Sequence, residues 1–330
     1  LVVASFGVIQ PAPVWGADEP QKLVIYTARK EHLVKPLFTA YEKANNVKIE
    51  YITDKAAALM ERLKAEGKRT PADILFTVDA GNLWQAAEAG LLQPVASKTL
   101  TKNVPEHLRD PQNRWFGLSV RARTIAYSPD RVDEKNLKNY NDLADKKWKG
   151  RLCLRTSKKV YNQSLVAMLM AQYGKEKTEQ MVKGWVENLA TKVFSNDTAV
   201  LQAIAAGQCD VGIVNSYYFA RLKAKKPKLK VDLFWPKPEF GGVHVNISGA
   251  GVTKEADHKK AAVAFLEWLS GPKAQQMFAQ VNYEFPVLSS VKAAPLVEQW
   301  GPISHNQFNV AKAGELQTEA IKLMDRAGYR

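Results

Sequence analysis

Short apolar runs alternate with amphipathic stretches along most of this chain, and that alternation narrows its fold more than any other feature. Leu23-Val24-Ile25-Tyr26 reads as a buried strand. From about residue 31 to 44, Leu33, Leu37, Phe38 and Tyr41 recur at helical spacing. Residues 47–52 read as a second strand and 56–66 as an amphipathic helix ended by Gly67. Residues 73–78 read as a third strand, and 82–89 as a helix ended by Gly90. Strands alternating with helices predict an α/β architecture on a largely parallel sheet.

The pattern returns after residue 150. Residues 151–154 form a short strand, and a helix follows over about 161–173 with Leu165, Met168 and Leu169 on one face. Asp197 suits the N-cap of a helix over 199–206, with Gly207 at its end. Residues 210–214 make a strand. Asn215-Ser216 then cap a helix that begins with Tyr217-Tyr218 and runs to about Lys226, where Pro227 stops it. Residues 243–247 read as a strand leading into the glycine-rich Ser248-Gly249-Ala250-Gly251, and 259–269 and 274–279 as helices around Gly271-Pro272. Two α/β lobes are predicted. Ligands of open α/β sheets bind beyond the carboxyl ends of the strands, and three such loops are unusually polar: 27–31, 157–161 and 215–218.

Composition excludes several classes. With 330 residues, 46 % of them hydrophobic, the chain buries a large core, which argues against disorder. Beyond residue 20 no stretch has the 18 consecutive apolar residues of a membrane span. The 47 Lys+Arg against 33 Asp+Glu give a net charge of +14, which suits nucleic acid, an acidic membrane or small anions. The lysines are scattered, however, and the densest run, 221–230, has no interleaved aromatics for base stacking. No nucleic-acid partner is expected; the run reads as a solvated helix face and a proline-marked loop. Residues 1–17 look like the apolar part of a secretion signal and are set aside from fold reasoning. Export permits a disulfide. Cys153 and Cys209, both at the edges of expected strands, are its plausible partners, although two cysteines fix neither geometry nor oxidation state.

No phosphate-loop, dinucleotide, nucleophile-elbow or H-E-x-x-H motif occurs, and the five histidines are dispersed. An enzyme is not expected. The tyrosines are more informative. Tyr217 and Tyr218 sit at one strand-to-helix junction and Tyr161 at another. Phenolate is a hard anionic donor, and a phenol with its ordinary pKa of about 10 ionises at neutral pH only beside a strong cation. Helix N-termini favour negative charge at both junctions. Taken alone, a Tyr-Tyr pair is usually an amphipathic packing element, and periodicity does not decide between the two.

Several segments together, in order, resemble the periplasmic ferric-iron-binding proteins of the ABC-transporter solute-binding class, over about residues 22–290. They are Tyr26-Thr27-Ala28-Arg29; Thr70-Pro71-Ala72-Asp73 with Val78-Asp79-Ala80-Gly81; Trp115-Phe116-Gly117 with Arg121-Ala122-Arg123; Val160-Tyr161-Asn162-Gln163-Ser164; Ala206-Gly207-Gln208-Cys209-Asp210; Asn215-Ser216-Tyr217-Tyr218-Phe219-Ala220-Arg221-Leu222; and His244-Val245-Asn246-Ile247-Ser248-Gly249-Ala250-Gly251-Val252. The resemblance implies an α/β, two-lobed type II periplasmic-binding-protein fold with crossing hinge strands near 120–127 and 243–246. The first lobe would take 18–120 and 245–290, the second 121–244 and 291–330. It implies Tyr161, Tyr217 and Tyr218 as ligands of Fe3+.

Many relatives carry His-Tyr directly after the first-loop Arg, and that Tyr also binds iron. Here Lys30 and Glu31 stand there. Three phenolates leave about half of an octahedral shell open. A synergistic anion such as carbonate, held by Arg29 and Arg121, is the expected completion; Glu31 is the alternative oxygen donor, with His32 beside it. Arg221, three residues after Tyr218, is expected to support the phenols electrostatically, unless it simply belongs to the basic run. Asp79 is expected to hold first-lobe loops by hydrogen bonds. The cysteines then read as a brace between the strands before Tyr161 and Tyr217. The expected role is a periplasmic monomer that delivers iron to an inner-membrane permease. Rival readings are a thiamine- or phosphonate-type solute, ferrous iron, or an enzyme on the same fold.

Overall fold

The computed structural model describes residues 19–330, so the expected leader lies outside the described residues. Among the described residues, eight strands form one sheet: β1 Gln21–Thr27, β2 Val47–Thr53, β3 Ile74–Val78, β4 Phe116–Tyr127, β5 Leu152–Cys153, β6 Val211–Asn215, β7 Asp232–Phe234 and β8 His244–Val252. Their order is β2-β1-β3-β8-β4-β6-β5, with β7 paired to β4. Parallel pairing joins β1 to β2 and β3, and β5 to β6. At the centre the pairing is antiparallel: β8 with β3 and β4, and β4 with β6 and β7. The sheet is therefore mixed, which corrects the expectation of a largely parallel one. The physical reason is that β4 and β8 run between the halves in opposite directions, whereas strand-helix alternation reports only local connections.

Two apolar cores flank this crossing. One draws on residues 23–122 and 243–311. The other is built from two adjoining clusters over 125–234, closed by 320–329. The switch falls inside β4, where Val120 and Ala122 face the first core and Ile125 and Tyr127 the second. All twelve residues of β4 are buried, Arg121 and Arg123 among them.

The expected helices form over Glu31–Ala44, Ala56–Glu66, Ala80–Glu88, Val160–Tyr173, Asp197–Ala205, Ser216–Lys225, Lys259–Ser270 and Pro272–Asn282. Two longer helices, Lys175–Glu187 and Gln317–Arg326, and the short Lys98–Asn103, Pro295–Glu298 and Lys312–Glu315 lie outside the expected elements. Asn196, not Asp197, caps its helix, accepting from Ala199 N at 2.9 Å; Asp197 is withdrawn into an ion pair. The glycine-rich 248–251 segment continues β8 rather than looping. Its glycines serve close approach: a Cβ on Gly249 or Gly251 would lie 2.4 Å from the carbonyl oxygen of Phe116 or Arg114. Cys153 and Cys209 form a disulfide with Cα atoms 5.9 Å apart, bracing β5 against the turn before β6.

Candidate metal centre

The tyrosines are placed by a buried cation beneath them. Arg123, on β4, donates from Nη1 to Asp197 Oδ2 at 2.9 Å and from Nη2 to Asn162 Oδ1 at 2.6 Å. It also donates to Asn215 Oδ1 at 3.2 Å and to the Ile213 carbonyl at 3.1 Å. Asn162 follows Tyr161, and Asn215 precedes the Ser216–Lys225 helix that carries Tyr217 and Tyr218. One guanidinium thus clamps both helix starts to the crossing strand. Asn162 Nδ2 reaches back to the carbonyls of Arg155 and Thr156 at 2.9 and 3.0 Å, fixing the loop before Tyr161.

The three phenols lie together. The Tyr217 and Tyr218 rings are 4.5 Å apart, and Asn215 Nδ2 donates to the Tyr217 hydroxyl at 3.2 Å. Tyr217 is buried, while Tyr161 and Tyr218 keep partial exposure. Burial pushes the Tyr217 phenol well above its usual range, neighbouring Tyr161 and Tyr218 push it further, and Arg121 pulls it back. Crowded phenols resist ionisation because each phenolate repels the next; a multivalent cation among them reverses that sign. Cations surround the group. Arg121 and Arg155 each lie 5.2 Å from the Tyr161 ring centre, and Arg221 lies 5.0 Å from that of Tyr217. Burial works against the charge on Arg121, but Tyr161, Tyr217, Glu284 and Asp79 more than offset it. Arg121 Nε, beside the Tyr161 ring, is buried without a hydrogen-bond partner among the described residues.

Arg29 and Glu31 have other partners in this conformation. The Arg29 guanidinium is buried against Glu284, at 3.2 Å, and also donates to Ser248 Oγ. It sits over the rings of Phe76 and Phe278. Its charge is already matched, so Arg121 is the expected anion-holding arginine that faces the phenols. Glu31 is exposed and accepts from the Tyr51 hydroxyl at 2.9 Å and from Lys35 at 3.4 Å, which hold its carboxyl below the usual range. Its neighbour His32 is exposed as well. Arg221 stacks on Tyr217, one helical turn back, rather than on Tyr218. Arg155 escaped the sequence reading. It lies just beyond β5 and ahead of Tyr161, 3.5 Å from Asp197, and donates to the Ser195 carbonyl at 3.2 Å. A cation in the segment that leads from a strand to a polar, tyrosine-bearing loop is the signal that would have found it.

A family model described as bacterial extracellular solute-binding protein matches residues 37–303. The chain belongs to that family. Among its solute-binding relatives, "Iron uptake protein A1" of Synechocystis sp. is 40 % identical, covering 100 % of this chain and 93 % of its own. The "Fe(3+)-binding periplasmic protein" of Serratia marcescens is 29 % identical, covering 92 % of this chain and 91 % of its own. A solved Trichodesmium protein "in complex with iron and citrate ligands" superposes with a TM-score of 0.90 at 43 % identity, covering 94 % of this chain and 100 % of its own. The fold is thus the two-lobed type II form with crossing strands; the Serratia marcescens relative is named for Fe(3+) binding and the Synechocystis one for iron uptake, and neither name is that of an enzyme.

Proposed function

We propose that this solute-binding protein captures ferric iron (Fe3+) in the periplasm and delivers it to an ABC-transporter permease. The observation that carries the reading is the convergence of Tyr161, Tyr217 and Tyr218, from two helix starts clamped by Arg123, among Arg121, Arg155 and Arg221. Three phenolates neutralise a trivalent ion, and hard oxygen donors suit it. The relatives named for iron uptake and Fe3+ binding, and the neighbour bound to iron and citrate, support the same cargo.

The phenols belong to the second lobe, so ions enter an open cleft and bind there first. Ionisation of up to three phenols accompanies binding. An oxygen anion of the carbonate or carboxylate kind, drawn to Arg121, completes the coordination, and closure of the first lobe excludes water. Glu31 stays with Tyr51 and Lys35 in this scheme, and Arg29 with Glu284.

The deciding experiment is a visible spectrum of the purified chain with ferric iron, with and without bicarbonate. A phenolate-to-iron charge-transfer band that strengthens with bicarbonate and is absent from the Tyr161→Phe/Tyr217→Phe/Tyr218→Phe triple variant supports the proposal. A colourless iron-loaded protein, or an unchanged band in the triple variant, overturns it.

A further inference from the structure

We propose that Asp79 and Ser164 form a closure latch that holds the Tyr161 helix against the first lobe and sets how fast bound iron escapes. The inference rests on the ferric reading above and assigns both residues a positioning role. Ser164 lies three residues after Tyr161, on the same side of the helix Val160–Tyr173. Its hydroxyl donates to Asp79 Oδ1 at 2.7 Å, and both residues are fully buried. Asp79 sits between β3 and the helix Ala80–Glu88, whose Phe76, Ala80 and Leu83 belong to the first core, whereas Leu165 and Val166 beside Ser164 belong to the second. This hydrogen bond therefore joins the lobes, and separating them breaks it.

The rest of Asp79 is fixed for the purpose. Its Oδ1 also accepts from Gly81 N at 2.9 Å, and its Oδ2 accepts from Asn246 Nδ2 at 2.9 Å. Asn246 lies on crossing strand β8, paired with Arg121. Asp79 adopts φ 76°, a strained backbone for a non-glycine residue. An ordinary N-cap needs no such strain, since extended backbone serves it. The strain points the carboxylate at the other lobe. A second tie acts one residue earlier on the same helix: Gln317 Nε2 donates to Gln163 Oε1 and Gln85 Nε2 donates to Gln317 Oε1, each at 2.8 Å. Separating the lobes takes the Ser164 donor away from the Asp79 carboxylate, a charge-assisted bond that opening must give up.

The test loads the full chain with ferric nitrilotriacetate and follows transfer of iron to excess EDTA through the charge-transfer band. Ser164→Ala is expected to release iron about tenfold faster, as loss of a charge-assisted hydrogen bond implies, with the band wavelength unmoved. Loss of stability alone does not move the release rate of a protein that stays folded. Gln317→Ala, which leaves Asp79 and Ser164 intact, is expected to speed release by a smaller factor and serves if Ser164→Ala fails to fold. Unchanged release in a folded Ser164→Ala overturns the latch, and so does unchanged release in Gln317→Ala where Ser164→Ala does not fold. A shifted band in Ser164→Ala also overturns it, because Ser164 would then act on the coordination itself. Absence of a band in the unmodified protein overturns the ferric reading instead.

Discussion

Arg123 and Asp197 form an almost fully buried ion pair, 2.9 Å between Nη1 and Oδ2, at the point where β4 passes from one core to the other. Asp197 Oδ2 also accepts from Asn215 N at 3.0 Å, so the pair ties the crossing strand to the start of the Tyr217-Tyr218 helix. Removing one partner strands the other charge in the interior. Asp197→Ala is expected to lower stability by about 3–5 kcal/mol, read as a drop in the urea midpoint. A loss below about 1 kcal/mol would show the pair to be as weak as an exposed one.

Single Tyr161→Phe, Tyr217→Phe and Tyr218→Phe variants are each expected to weaken ferric binding by at least about tenfold, since even residues that only support a ligand cost that much. Competition against nitrilotriacetate measures it. Tyr41→Phe is the control: that ring packs on Phe265 and Trp268 in the first core, away from the phenols, and affinity should not change.

Acid should release iron. With the Tyr217 phenol pushed up by burial and by its two neighbours, the iron-free protein holds its proton at neutral pH. Binding then expels protons, so the apparent dissociation constant rises as pH falls. Proton release on titrating ferric iron into weakly buffered protein measures the number; a value near zero contradicts phenolate ligation.

His244 makes folding itself acid-sensitive. Burial, with Arg123 and Arg121 nearby, lowers its pKa to about 3. The unfolded chain takes up that proton near the ordinary pKa of 6.5, so between these values the unfolded state binds one more proton. Stability from this residue is present above pH 6.5 and is lost as pH falls toward 3, by at most about 1.4 kcal/mol per pH unit. Urea midpoints of His244→Gln across that window should fall less steeply than those of the parent chain.

Reduction of Cys153–Cys209, which closes a sequence separation of 56, is expected to cost about 2–4 kcal/mol. The phenols are held through Arg123 rather than through the bridge. The Cys153→Ser/Cys209→Ser variant should therefore melt earlier yet keep its ferric band.

The parts legible in the sequence are those that depend on near neighbours. Helices such as Glu31–Ala44 and Ala56–Glu66 declare themselves because apolar spacing at 3.6 residues is a local property. The strand-to-helix junctions that carry Tyr161 and the Tyr217-Tyr218 pair are legible the same way, and the dipole there favours anions; the choice of these tyrosines as ligands came from the family resemblance. The continuation of β8 through 248–251 was not legible, for the same reason: its glycines answer to the carbonyls of Phe116 and Arg114, far away in sequence.

By itself the sequence determined an α/β chain with two kinds of tyrosine-bearing junction, a basic balance, and no enzyme motif. Tertiary structure alone decided which charges meet. Arg29 is taken by Glu284, 255 residues away, while Arg155 and Arg121 flank Tyr161. Asp197 leaves its expected cap for Arg123, and Ser164 finds Asp79 across the lobes. The reason is physical: periodicity encodes which face of an element is buried, but a buried charge is satisfied by whichever partner the packing of distant elements brings within hydrogen-bond reach.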